Sequence, residues 1–131
     1  MEIIQTAGEM QTIAESERRK GRRIAFVPTM GYFHEGHLNL MRLGRERGDC
    51  LAVSIYVNPA QFAPTEDFEA YPRDFERDRR LAEEAGVDWI FTPENREMYP
   101  DGYRTYVEVE RVTANLCGIS RPHFFRGVTT V

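Results

Sequence analysis

The chain has 131 residues, 41% of them hydrophobic and 29% charged, with a formal net charge of −4, which is about one soluble domain with room for a buried core. The acidic balance argues against a general nucleic-acid binder, which carries a basic face; no apolar run approaches the roughly 20 residues of a membrane span, and MEIIQTAGEM lacks a signal-peptide pattern. The two cysteines, Cys50 and Cys117, have no framework spacing and are expected to be buried thiols in a reducing, cytoplasmic compartment.

In chain order, Met10 to Lys20 reads as a polar, charged helix ended by Gly21. The basic run Arg18-Arg19-Lys20-Gly21-Arg22-Arg23 reads as its solvated C-terminal end, where cations meet the negative pole of the helix dipole. Arg23–Val27 is a short apolar strand. A helix then runs to about Arg47, closed by Gly48, with Leu38, Leu40, Met41 and Leu43 along its inner face. Asp49–Val57 is apolar nearly throughout, as a parallel strand covered on both faces should be. Asn58–Ala70 carries too much Pro, Thr and Asp for regular structure. Pro72 opens a third helix with Phe75, Leu81 and Ala82 as its apolar side and Gly86 as its stop. Val87–Phe91 is a third strand, and strand–helix–strand–helix–strand predicts a doubly wound parallel sheet. After Pro93 come a loop over Glu94–Gly102 and an alternating, half-exposed strand over Thr105–Val109. A short helix over Arg111–Leu116 and a Gly/Pro/aromatic loop to Gly127 follow, and then the apolar Val128–Val131. There is no internal repeat.

The stretch Val27–Leu40, VPTMGYFHEGHLNL, carries the chemistry. Pro28 and Gly31 break the first strand, and His34, Gly36 and His37 fall on a tight turn and the first turn of a helix. Free backbone N–H groups and the positive end of the helix dipole favour phosphate at such a place. Gly31 and Gly36 would let a ligand approach the backbone, and either imidazole could donate to a phosphate oxygen. Two other readings stand beside this one: ordinary helix-start histidines, or metal ligands. The zinc-protease helix needs histidines four apart, as in HExxH, whereas HEGH places them three apart.

The segment resembles the His-x-Gly-His signature of the nucleotidyltransferase superfamily. PTMGYFHEGH, SIYVNPAQF, YPRD, LCGISRP and RGVTTV, in that order, resemble the pantoate–β-alanine ligase family along essentially the whole chain. The resemblance implies a Rossmann-like domain over residues 1–131 that binds ATP and pantoate. It makes Met30, Gly31, Tyr32, Phe33, His34, Glu35, Gly36 and His37 the ATP-binding segment. His37 is then the residue assigned as proton donor, although a positioned imidazolium could act through charge alone, and His34 is its catalytic companion.

Gln61 lies beyond the C-terminal end of the second predicted strand, where open α/β sheets bind ligands. Its amide offers a donor and an acceptor. The resemblance makes it the contact to pantoate, with Met30 a wall of the same pocket. Asp74 and Asp78 are one turn apart, placed either to hold Mg²⁺ through water or to pair with Arg73, Arg77 or Arg79 at the surface; neither is assigned as a metal ligand. Arg121 is set to meet a carboxylate or phosphate of the substrates, or to be structural. In Arg121-Pro-His123-Phe124-Phe125-Arg126-Gly127 the family's Arg-Pro-x-His-Phe-x-Gly pattern has Phe124 where its histidine stands, and the histidine sits one residue back at His123.

The implied reaction joins pantoate and β-alanine through a pantoyl adenylate, with Mg²⁺ and ATP, releasing AMP and pyrophosphate; no activated nucleophile is seen for a covalent enzyme intermediate. The family's longer chains carry a second nucleotide loop and a C-terminal domain. The 131 residues are therefore expected to be an N-terminal portion, poorly active alone and homodimeric. Two rival readings stay open, another HxGH nucleotidyltransferase and a non-catalytic nucleotide-binding or dimerisation module.

Overall fold

A computed structural model describes residues 1–64, 66, 68–111, 113 and 115–131. Its centre is a four-stranded, all-parallel sheet of β1 (Glu2–Ile4), β2 (Ile24–Thr29), β3 (Cys50–Ile55) and β4 (Trp89–Phe91), in the order β1-β4-β3-β2. Strand β3 pairs with β2 in register Ile24↔Cys50 through Thr29↔Ile55, and with β4 through Val53↔Ile90. The helices are α1 (Ala7–Arg19), α2 (Glu35–Arg47), α3 (Phe75–Glu84) and the short α4 (Asn95–Met98), α5 (Cys117–Ser120) and α6 (Phe124–Thr130). This is the Rossmann-like arrangement that the alternating pattern predicts.

Alternation along each strand divides the sheet into two faces. Val27, Leu51, Val53 and Ile90 point to one side and form the core with Phe33, Met41 from α2 and Ala82 from α3. Ile24, Phe26, Pro28, Ala52, Ser54 and Phe91 point to the other, where α1 brings Met10 and Ala14 across a broad cavity. Two faces with helices on each fit right-handed crossovers that run out across the sheet once and return.

Several boundaries differ from the sequence expectation for identifiable reasons. Helix α1 starts at Ala7 because the Thr6 hydroxyl caps it, accepting from the Glu9 N–H at 3.3 Å. Strand β1 was not anticipated: three residues are too few for a periodic signal, and Glu2–Ile4 pairs with β4 at the sheet edge, far along the chain. Helix α3 opens at Phe75 rather than Pro72, because the Asp74 side chain caps it, accepting from the Arg77 N–H at 3.1 Å.

Thr105–Val109 is not a strand. Its backbone finds hydroxyls instead of a neighbouring strand: the Val107 N–H donates to Thr130 Oγ1 at 3.0 Å, and Thr129 Oγ1 donates to the Val107 carbonyl at 2.6 Å. The stretch expected as a loop and apolar tail contains α5 and α6. Within the expected Asn58–Ala70 loop, Pro59–Gln61 forms a 3₁₀ turn, while Thr65 and Asp67 lie outside the described residues. The helix expected over Arg111–Leu116 falls partly on Val112 and Ala114, which also lie outside them. Both cysteines are free, as expected, but only Cys50 is buried; Cys117 is exposed on the surface helix α5. In the basic run, Lys20 and Arg22 are not merely solvated, since both pair with the buried Glu17, at 2.7 and 2.8 Å.

Candidate functional site

The cavity on the α1 side of the sheet encloses about 750 Å³ and reaches the C-terminal ends of β2 and β3. That is the end where open parallel sheets bind ligands. Its polar end is lined by Met30, His37, Asn58, Gln61, Val128 and Val131. Two structurally different walls meet there.

The first wall is the turn from β2 into α2. His34 is the N-cap of α2, and its Nδ1 accepts from the Gly36 N–H at 3.1 Å. His37 returns the bond: its Nδ1 accepts from the His34 N–H at 3.3 Å. The rings lie close and tilted, centroids 4.0 Å apart and planes 33° apart. A nitrogen that accepts carries no proton, so each neutral ring has its proton on Nε2. This pair therefore offers Nε2–H groups without needing a positive charge. Burial, and after it the charge of His34, pulls the His37 pKa below 6.5, while the Asp78 carboxylate pushes it back up.

The rest of Met30–His37 is largely committed within the protein. Gly31 donates its N–H to Thr29 Oγ1 at 3.1 Å. Tyr32 and Phe33 donate theirs to Asp78 at 2.6 and 2.8 Å. The Phe33 side chain is in the core and Glu35 pairs with Arg42 at 2.6 Å. Gly31 is needed for close packing: a Cβ there would stand 3.0 Å from Asp78 Oδ2 and from Ile55. Of the segment, Met30 and His37 line the large cavity.

The second wall is assembled from distant parts of the chain. Asn58 is 1% exposed. Its Oδ1 accepts from the Ala60 N–H at 3.1 Å and the Tyr99 hydroxyl at 2.9 Å, and its Nδ2 donates to the Gly127 carbonyl at 3.0 Å. Gly127 brings α6 so close to the 3₁₀ turn that a Cβ would lie 2.3 Å from the Ala60 carbonyl oxygen. Gln61 follows on that turn, largely buried, with its side chain in the cavity lining. Among the described residues no protein group hydrogen-bonds its amide.

Arg121 does not present a free guanidinium to the cavity. It donates to the Gln61 carbonyl at 2.8 Å, pairs with Glu66 and lies over the Phe124 ring at 4.2 Å. This bonding holds the Glu66 carboxyl below its ordinary pKa. Phe124 thus has a packing partner in Arg121. His123 is exposed beside it and lies outside the cavity lining. Asp74 is spent on a helix cap, and Asp78 accepts two backbone N–H groups and pairs with Arg77 at 3.6 Å, the ion-pair alternative considered for it, although the carboxylate is buried and not at the surface. Among the described residues no group of three or more His, Cys, Asp or Glu could hold a metal ion. No helix among them is long and apolar enough to cross a membrane.

Sequence reasoning missed Asn58, Gly127, Val128 and Val131 as parts of the site. NPAQF did mark the turn, but nothing local ties it to α6. The family model for pantoate-beta-alanine ligase matches residues 2–131. The chain is 68% identical over 131 residues to the pantothenate synthetase of Syntrophus aciditrophicus and 60% identical to that of Geobacter sulfurreducens, in each case covering all of this chain and 46% of the relative. Among solved structures, pantoate-beta-alanine ligase (pantothenate synthetase) of Thermus thermophilus superposes with a TM-score of 0.90 at 46% identity, over 99% of this chain and 46% of that one. The pantoate-beta-alanine ligase of Francisella tularensis, complexed with beta-gamma ATP and beta-alanine, gives 0.91 at 35% identity, over 99% of this chain and 50% of that one. The chain spans about half the length of the curated relatives it matches.

Proposed function

The chain belongs to the pantoate-beta-alanine ligase family, and on that premise we propose that residues 1–131 are the ATP- and pantoate-binding domain of a ligase that joins pantoate to β-alanine. In the first step a pantoate carboxylate oxygen attacks the α-phosphorus of ATP, forming pantoyl adenylate and displacing pyrophosphate. In the second, the β-alanine amine attacks the acyl carbon, the bond of the acyl–phosphate mixed anhydride breaks, and AMP and a proton leave. Holding two substrates in line and neutralising phosphate charge are the demands on the protein.

The observation that carries this reading is the Gln61 amide, without a protein partner among the described residues, in a cavity it shares with Met30 and His37. An amide at a cavity wall with no protein partner keeps its donor and its acceptor for a ligand. Gln61 is assigned to the hydroxyl or carboxylate of pantoate, and Met30 with Val128 and Val131 to its apolar flank. His37 donates Nε2–H to a phosphate oxygen and need not surrender the proton. His34 holds the turn and the His37 ring. Arg121 acts on the substrate site through the Gln61 carbonyl rather than by touching ligand. With Asp74 and Asp78 committed, magnesium enters this reading as the companion of the ATP phosphates. A cytoplasmic homodimer completes the proposal, with sedimentation velocity as the check on its assembly.

Calorimetric titration of pantoate into this chain with ATP present, repeated on Gln61→Ala, tests the proposal. Binding that weakens at least about tenfold in the variant is expected, since a lost bond to a buried polar group is worth about that much. Equal binding by both proteins would remove Gln61 from the site. ATP binding without any pantoate heat would favour a nucleotide-binding module instead.

A further inference from the structure

Asp78 lies on α3 with 1% of its surface exposed, the most deeply buried carboxylate among the described residues. A carboxylate taken out of water must have its lone pairs satisfied. Oδ2 accepts from the Tyr32 N–H at 2.6 Å and Oδ1 from the Phe33 N–H at 2.8 Å. The Arg77 guanidinium stands 3.6 Å from Oδ1 and 5.6 Å from the centre of the Tyr32 ring.

The turn receiving this carboxylate has an unusual shape. Gly31 and Tyr32 both have left-handed φ values, 83° and 52°. Glycine accepts that conformation freely, whereas tyrosine resists it. Successive backbone N–H groups in a turn can form one concave anion seat. Here the seat is filled by a side chain of the protein itself, and the absence of a Cβ on Gly31 makes room for it.

We infer that Asp78 is a positioning residue for the nucleotide end of the cavity: its carboxylate occupies the anion seat of Gly31–Phe33 and locks the turn that carries Met30 to the cavity and begins α2 at His34. The inference rests on the nucleotide-site reading above. It also explains how the two walls share their work. The N–H groups of Gly31 to His34, Gly36 and His37 are consumed internally, which leaves the imidazole Nε2 edges as side-chain donors for a ligand. The charged groups around Asp78 are Arg77 on its own helix, His37 on α2, and Arg73 and Asp74 at the smaller cavity behind the turn.

The test compares Asp78→Asn with the 131-residue protein, using Glu76→Gln on the exposed side of α3 as control. Asparagine keeps the volume but sets an NH₂ group against a backbone N–H. In NMR hydrogen exchange without ligand, the Tyr32 and Phe33 amides should lose about tenfold or more in protection, as one lost charge-assisted bond implies. The His37 ring should titrate at a lower pH, and protection elsewhere in α2 and α3 should hold. Unchanged protection at both amides overturns the inference. Where Asp78→Asn alone does not fold, Asp78→Asn with Tyr32→Gly decides the matter. Glycine removes the resistance that the carboxylate overcomes, so the pair should fold, and failure to rescue counts against a role in holding the turn. ATP titration then separates the two readings. About tenfold weaker ATP binding by Asp78→Asn is expected, and equal binding overturns the positioning role. If the wild-type chain itself binds no ATP, the nucleotide reading fails, while exchange and rescue still decide whether Asp78 locks the turn.

Discussion

The two walls of the cavity are built in opposite ways. The histidine turn is a local construction: His34, Gly36 and His37 satisfy one another within four residues, and among the described residues Asp78 is the remote group that hydrogen-bonds its backbone. The glutamine wall is a remote construction. Gln61 is placed by Asn58, whose partners include Tyr99 and Gly127, and by Arg121, which reaches back from beyond α5. A local cap survives small shifts of the surrounding fold, because its donors and acceptors move together. A wall of distant segments does not, so its geometry depends on the last residues of the chain being docked. The difference teaches where the site is preorganised and where it depends on global stability.

The contrast breaks most readily at Gly127→Ala. The new Cβ would stand 2.3 Å from the Ala60 carbonyl oxygen and 2.8 Å from the Gln61 nitrogen, both backbone atoms with little freedom to yield. Overpacking of this kind costs about 3 kcal/mol. Thermal unfolding should show the loss, and pantoate binding should disappear while the His34 and His37 ring signals stay near their native positions. A native melting temperature would mean that α6 does not sit against the turn as described. Next in size is Asn58→Ala, which leaves the Tyr99 hydroxyl and the Ala60 and Gly127 backbone groups without their shared partner, a loss of roughly 2 kcal/mol. Tyr99→Phe removes a single bond from the same hub and should cost about 1 kcal/mol in denaturant unfolding. If Tyr99→Phe cost as much as Asn58→Ala, the hub would not be the centre of the wall.

This division also decides what was legible in the sequence. The alternation of apolar strands with helices identified β2, α2, β3, α3 and β4, because each carries its pattern within a few residues. HEGH marked the histidine turn for the same reason. Strand β1 was too short to show a period, and its partner β4 lies far along the chain. The T-Y-V-E-V alternation over Thr105–Val109 had the period of a strand, yet Thr129 and Thr130 take the place of a sheet neighbour. Asp78 looked like a surface or metal-binding carboxylate, since no local signal records that two N–H groups from the β2–α2 turn will meet it. Arg121 could be read as a ligand contact or as structural, and only the fold brings Glu66 and the Gln61 carbonyl to it.

A smaller perturbation sharpens the comparison on the local side. His37 uses Nδ1 to accept within the turn and leaves Nε2 for a ligand, so two substitutions should separate these tasks. Asparagine reproduces the acceptor near Nδ1 but has nothing at the Nε2 position. His37→Asn should therefore unfold within about 0.5 kcal/mol of wild type, the range of a retained cap, and bind ATP about tenfold more weakly. Glutamine places an amide near Nε2 and gives up the inner acceptor, so His37→Gln should keep more of the ATP affinity and lose more stability. Equal behaviour of the two variants in calorimetry and melting would mean that the nitrogens do not divide the work.

The smallest expected effect is a dependence on pH, and its sign follows from burial. Burial lowers the folded-state pKa of His37 below 6.5, so the unfolded chain takes up a proton first as pH falls. Stability from this group is therefore complete above about 6.5, the ordinary imidazole value, and declines as pH falls through that value toward the depressed folded pKa. The proton can enter the folded ring only at Nδ1, where it abolishes the acceptor that holds the His34 N–H. Melting curves between pH 8 and pH 5 should thus show wild type losing more stability on acidification than His37→Asn, whose cap carries no titrating nitrogen. Because the Nε2–H donor is present in the neutral ring, ATP binding should persist above the imidazole pKa instead of falling as an obligatory imidazolium would require. A binding curve that decayed with rising pH through the His37 titration, followed by NMR on the same sample, would assign the wall's action to charge and not to a neutral donor.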